Sequence, residues 1–287
     1  MPDGSGAAIV TLAHGALAGG CGPIQCAVRP LNGADEAILA EMGEALPVEI
    51  SSTLLARTLL SIGDATQVTY ETVRRLSVGD REKLLLALHA TTFGKAVETA
   101  AHCPTCHELF ELPLDLTTLL KTSFDEIPQS ERVVNTRING RKVAVRIRVA
   151  NGIDQELTAR EAQVNIDGAV RKLLCRCVVE MTDETGRALD VEAVMDDLRV
   201  LIEDVWAELD PAAVTIETVV CPGCGQSVSV EVDAFSLIAG ELRYTRAISE
   251  DVHRLAAAYH WSEDQILRLP IKRRRRYLAL IDSGVAA

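Results

Sequence analysis

Apolar and polar residues alternate in several short stretches of the chain. Glu108 to Asp115 carries Phe110, Leu112 and Leu114 at every second position, and Ser227 to Asp233 carries Val228, Val230 and Val232 in the same way, which is the period of a half-buried strand. Val133 to Val149 reads as a hairpin turned at Asn139-Gly140, with Val143, Val145, Ile147 and Val149 on one face. Lys142, Arg146 and Arg148 fall on the other face, read either as a solvated surface or as a docking surface for an acidic partner. Elsewhere the spacing is helical. Leu55, Leu59 and Ile62, and again Val170, Leu174, Cys177 and Met181, each predict one buried helix face. Val191, Val194, Met195, Leu198, Ile202, Val205 and Leu209 predict a longer helix. Tyr70 to Leu76 and Asp80 to Ala90 read as its counterpart, with Gly79 expected to break the helix between them. Ala234 to His260 is helical in pattern, Ser262 with Gln265 forms a capping box, and Pro270 can open a last helix. The first 24 or so residues, rich in glycine, are expected to be a loose hairpin or disordered. Residues 116–132 are polar, carry Pro128 and read as a linker.

These elements come in two similar series. Arg29-Pro30-Leu31-Asn32-Gly33-Ala34-Asp35 matches Arg148-Val149-Ala150-Asn151-Gly152-Ile153-Asp154, and at the same spacing Leu54 to Asp64 matches Leu173 to Asp183. After a loss of one residue, Cys103-Pro104-Thr105-Cys106 falls on Cys221-Pro222-Gly223-Cys224, with the alternating strands behind them. Three matches in register argue for internal duplication. In each copy an extended segment ends at Asn-Gly, and Asp35 or Asp154 is expected to cap the following helix.

The cysteines supply the candidate chemistry. Two Cys-x-x-Cys turns make the half-sites of a tetrahedral, all-thiolate zinc centre formed by Cys103, Cys106, Cys221 and Cys224, one structural zinc per chain. Free or redox-active dithiols and disulfides are the alternatives. His102 and His107 flank the first turn, but four thiolates fill a tetrahedron, so both are read as solvated neighbours. Cys175 and Cys177 read as small core residues, and Cys21 and Cys26 have the wrong spacing for a turn of this kind.

Composition narrows the function. The net charge of −12 argues against a surface that tracks nucleic acid. No apolar run reaches the length of a membrane span and no leader pattern opens the chain, so a cytoplasmic protein is expected. Lys272 to Arg276 is the one cationic run, but consecutive helical residues point all around the axis, so intramolecular pairing is preferred over a nucleic-acid patch. No phosphate-binding loop, nucleophile elbow or metalloprotease spacing is present, and an enzyme is not expected.

Val78-Gly79-Asp80-Arg81-Glu82-Lys83-Leu84 running into Thr92-Phe93-Gly94 and the first cysteine turn, Asp210-Pro211 before the second, and Leu255 to Leu267 resemble the T-even-phage-type baseplate proteins, or baseplate hub assembly chaperones, of contractile phage tails and extracellular contractile injection systems. The resemblance implies a non-enzymatic structural or assembly component whose partners are other baseplate or hub proteins, with no small-molecule substrate, and which can be incorporated in the particle. A zinc-ribbon nucleic-acid-binding regulator is the alternative. The expected fold is α+β: two tandem homologous units of helices plus a zinc-knuckle hairpin, and a C-terminal helical extension. The expected divisions are an N-terminal segment 1–26, unit one 27–120, a linker and basic hairpin 121–147, unit two 148–234 and the extension 235–287.

Overall fold

The computed structural model describes residues 6–15, 23–121, 128–243 and 247–284. In chain order it forms β1 (Ala8–Leu12), β2 (Ile24–Val28), α1 (Gly33–Glu41), α2 (Pro47–Thr58), β3 (Leu59–Ile62), α3 (Tyr70–Arg74), α4 (Val78–Thr92), β4 (Ala96–His102), β5 (Leu109–Asp115) and α5 (Leu116–Leu119). There follow β6 (Glu131–Ile138), β7 (Arg141–Arg148), α6 (Gly152–Ala162), α7 (Ile166–Cys177), β8 (Val178–Asp183), a 3-10 turn (Glu192–Val194), α8 (Met195–Leu209), a second 3-10 turn (Pro211–Ala213), β9 (Thr215–Val220) and β10 (Ser227–Val232). The chain closes with α9 (Ala234–Arg243), α10 (Ile248–Tyr259), α11 (Glu263–Leu267) and α12 (Ile271–Asp282). Helices and antiparallel strands are both abundant, so the fold is α+β.

Two three-stranded antiparallel sheets, β1-β2-β3 and β6-β7-β8, have the same order and the same irregularity. The register slips between Ala27 and Val28 in one and between Arg146 and Ile147 in the other, leaving Leu60 and Val179 unpaired and turned outward. The strands β3 and β8 correct the helical expectation for Leu59–Ile62 and Val178–Met181. Leu59 and Val178 are extended and buried, because the chain must leave the helix there to pair with β2 or β7. The described part of the N-terminal segment is likewise ordered as β1, paired along its length with β2. Cys21 and residues 122–127 of the expected linker lie outside the described residues.

A shared ionic fork holds each sheet to its helices. Asp35 is buried and accepts hydrogen bonds from Arg29 at 2.7 Å and 3.0 Å and from Arg57 at 2.9 Å. Asp154 is buried and accepts from Arg148 at 2.6 Å and 3.0 Å and from Arg176 at 2.8 Å. A buried carboxylate is tolerated because two guanidiniums and a backbone N–H replace its hydration. Burial opposes the charge of Asp154, but Arg148, the Asn151 N–H and Arg176 together hold its carboxyl below the usual carboxylate range. The helix caps are Asn32 and Asn151, each accepting from the N–H of Asp35 or Asp154, while that aspartate closes the box from the third helical position. The aspartates therefore do not cap directly as expected; they are drawn inward by the arginines. Arg148 consequently leaves the solvated face assigned to it, and Arg146 and Lys142 pair with Glu180 and Glu184 of the same sheet and its following turn.

The apolar residues sort into separate cores. The main core joins β1–β3, α2, α4 and both cysteine-bearing hairpins, β4–β5 and β9–β10. A second core lies between β6–β8 and the helices α7 and α8. The hairpin β9–β10 therefore packs with the first sheet's core, not with the α8 helix that precedes it in the chain. Phe110, Leu112 and Leu114 face this core as their alternation requires. No helix among the described residues is long and apolar enough to cross a membrane.

Candidate metal centre

Both Cys-x-x-Cys turns are the tips of antiparallel hairpins. The ladder of β4 and β5 ends at the His102–Leu109 pair, and that of β9 and β10 at Val220–Ser227, so each connection starts on a cysteine. The turns then close identically. Cys103 N–H donates to Glu108 O and His107 N–H to Cys103 O, both at 2.9 Å; Cys221 N–H donates to Gln226 O and Gly225 N–H to Cys221 O, both at 2.9 Å. The residue after the second cysteine is left-handed in each, His107 at φ 62° and Gly225 at φ 71°. Only the second position uses the glycine that this conformation favours.

The two tips meet head to head. Sγ of Cys103 is 3.6 Å from Sγ of Cys224, Sγ of Cys106 is 3.6 Å from Sγ of Cys221, and all four sulfurs lie within 4.8 Å of one another. Four thiolates about 2.3 Å from a common zinc ion would be spaced by about 3.8 Å, which matches this cluster. The four cysteines are unbridged, and each 3.6 Å contact joins one hairpin to the other. That arrangement suits a shared ion better than a redox dithiol, which would open a helix. Cys103 and Cys221 are fully buried against the main core, whereas Cys106 is exposed and Cys224 half-buried. His102 and His107 are exposed, in keeping with their reading as neighbours of the site.

The turns also tune their sulfurs. Backbone N–H groups of Cys106 and then Thr105 point at Cys103 and bring its thiol down to about 6. The Glu108 N–H favours the Cys106 thiolate too, but desolvation and the thiols of Cys221, Cys103 and Cys224 outweigh it and push Cys106 up to about 12. Four sulfurs this close cannot all ionise without a cation, so loading a metal there must release protons.

Sequence reasoning located the four cysteines but missed how the tips fit. Glu108 lies across the second turn, and a Cβ on Gly223 would fall 1.6 Å from Glu108 Oε2. The first turn carries Thr105 at the corresponding position, so the two tips differ where they face each other. Cys26 and Cys177 are buried core residues, with thiols pushed up to about 12, mainly by desolvation. A profile of the family described as T4 bacteriophage base plate protein matches residues 27–238, from β2 into α9 and including both cysteine turns. No curated protein and no solved structure matches the chain.

Proposed function

The chain belongs to the T4 bacteriophage base plate protein family, and from that premise we propose that it is a non-enzymatic structural or assembly component of the baseplate of a phage-tail-like contractile particle. Its partners in this reading are other baseplate or hub proteins, and it is made in the cytoplasm before joining the particle. A single zinc ion held by Cys103, Cys106, Cys221 and Cys224 staples its fold. The observation that carries the zinc is the convergence of four sulfurs from two hairpins more than a hundred residues apart in the chain. Four thiolates leave no open coordination position, so the ion would supply a crosslink and no catalysis.

The repeated order of elements, the matched slips in both sheets and the matched Arg-Asp-Arg forks support the duplication. The proposed units are wider than the 27–120 and 148–234 read from sequence, since β1 stands to β2 as β6 stands to β7. The nucleic-acid alternative is weakened by the arginine run itself: Arg274 is buried between Glu36 and Asp251, and Arg275 faces Glu241 and the ring of Phe93.

Affinity-tagged chain expressed with the neighbouring genes of its cluster tests the reading. Recovery in sedimented tail-like particles, or in a complex with hub proteins before sheath assembly, is the expected result. Normal particle assembly when the gene is deleted would overturn it.

A further inference from the structure

A cleft of about 620 Å³ opens between α1, α2, α9, α10 and α11, within the ~300–1,000 Å³ of ordinary ligand clefts. Its floor is Leu54 of α2 and Ile238 of α9, both fully buried, whereas Leu39, Ile50 and Phe235 on its walls stay part exposed. The cleft lies between helices anchored elsewhere: α9 packs on α4, while α10 packs on α1, α11 and α12. Small side chains widen it, since Ala37 and Ala40 of α1 and Ala239 of α9 stand where larger residues would fill the space. Folded interiors leave few voids larger than a water molecule. An open cleft of this size with aliphatic walls is therefore a surface that gains from a guest.

The walls have a helical period. Phe235, Ile238, Ala239 and Leu242 stand at i, i+3, i+4 and i+7 of α9, and Ile248 and Val252 at i and i+4 of α10. The α9 stripe runs for about 10 Å, or two turns of helix. A guest helix carries side chains at the same spacing, so its ridges can enter these troughs. The unanswered charge of the lining is acidic. Glu36 at the floor is matched by Arg274, which donates to both its oxygens at 2.6 Å and 2.7 Å. Arg243 closes α9, where a cation suits that helix's carbonyl end. Glu41, in contrast, is the last residue of α1, whose last turn holds no basic residue, so its charge adds to the negative end of the helix. Glu41 and Glu263 are exposed on the rim, and neither has an ion-pair partner among the described residues.

We propose that this cleft is the docking site for an amphipathic helix of a partner protein, one with an aliphatic face and a lysine or arginine beside it. The aliphatic side chains fill the space between α9 and the wall made by α1 and α10, and the cation meets Glu41 and Glu263 on the rim. Burial of the apolar stripe supplies affinity, and the acidic rim discriminates against acidic helices. The same rim separates a basic helix from a fatty acid or another anionic lipid, whose head group two glutamates would repel. The cleft is independent of the metal and of the baseplate role.

Fluorescence polarisation of labelled synthetic helices on the full-length chain tests it. The probe is an amidated peptide of about four helical turns, with leucine and alanine at i, i+3, i+4 and i+7 and lysines flanking that stripe. A peptide of the same composition in shuffled order is the control. Micromolar binding of the probe, about tenfold or more tighter than that of the control, is the expected result. Ala40→Trp fills the exposed lip of the cleft and should weaken binding about tenfold. Glu41→Lys together with Glu263→Lys should weaken it by about as much and flatten its salt dependence, whereas Glu111→Lys, exposed but away from the cleft, should leave it unchanged. Equal binding of the shuffled peptide, or binding indifferent to the reversal of Glu41 and Glu263, marks an unselective apolar cleft and overturns the proposal, as does a failure of the probe to bind. Should the double reversal fail to fold, a salt titration of the unaltered chain decides: affinity must fall as salt rises, and a flat titration overturns the proposal.

Discussion

The carboxylate of Asp210 rests against the bare Cα of Gly79. Its Oδ2 accepts the Gly79 N–H at 2.9 Å, and a Cβ added to Gly79 would lie 2.1 Å from Oδ1. Gly79 therefore sits within the first turn of α4 and does not break it; the break falls at Arg75 to Ser77, between α3 and α4. In an unconstrained helix Gly→Ala stabilises by about 1 kcal/mol. Here Gly79→Ala should instead destabilise by about 2–4 kcal/mol in urea unfolding, because the α8 end must be pushed away. A stabilised variant would show that Asp210 does not hold α4 in solution.

His14 faces the same Asp210, with Nε2 3.6 Å from Oδ1, while Asp80 accepts the backbone N–H groups of Ala13, His14 and Gly15. Burial works against a charged imidazole, but Asp210 and then Asp80 outweigh it and raise the His14 pKa above 6.5. A raised histidine contributes stability that is fully present below about pH 6.5 and is lost as pH rises through the folded-state value. His14→Gln should remove that part of the pH dependence, read as flatter chemical-denaturation midpoints from pH 6 to 8. An unchanged slope would locate it elsewhere.

Glu82 bears on the same window. Desolvation first, and the charges of Asp233 and Glu231 after it, push its carboxyl up to about 7 although it accepts the Ala234 N–H at 3.2 Å. Because the folded state binds this proton more tightly than the unfolded chain, stability falls as pH rises from about 4.5 to about 7. Glu82→Gln keeps the acceptor and should gain on the order of 2 kcal/mol at pH 8, with no gain at pH 4. An equal effect at both values would rule out the carboxyl's ionisation as the cause.

What was legible in the sequence follows from how local each signal is. Alternation placed Phe110, Leu112, Leu114 and the Val143–Val149 face correctly, because a strand's two faces are written in adjacent residues. The four cysteines were legible for the same reason, since each turn is a four-residue motif. The strands β3 and β8 were not: Leu55, Leu59 and Ile62 satisfy a helical stripe, and only the pairing of Leu59 with Val28 makes the latter part extended. Gly79, Gly223 and Arg274 carry their meaning in partners more than a hundred residues away, Asp210, Glu108 and Glu36, which no local window contains.

The metal reading predicts about one zinc per purified chain by elemental analysis. Cys221→Ser should lose the ion and lower stability by several kcal/mol, because binding energy at such a site is folding energy. The damage should appear first in the main core, where β9–β10 packs beside β4–β5. Hydrogen exchange should speed in both hairpins while β6–β8 keeps its protection. Full stability without metal, or two ions per chain, would sink the crosslink.

The last prediction concerns the two ionic forks. If the two series descend from one ancestral unit and still use the same anchor, removing the anchor should cost the same in both. Asp35→Asn and Asp154→Asn each leave two arginines converging on a neutral amide in a buried place. Breaking a compensated buried charge costs about 3–5 kcal/mol, discounted here because the arginines themselves are partly exposed and regain water. A loss of about 2–4 kcal/mol is therefore expected for each variant, within about 1 kcal/mol of the other. The two should differ in where they open, because Asp35 serves the main core and Asp154 the second core. Site-resolved hydrogen exchange would show β1–β3 loosened in the first variant and β6–β8 in the second. If one aspartate proves dispensable, the matched geometry is inherited form without equal load, and the two units have diverged in what holds them.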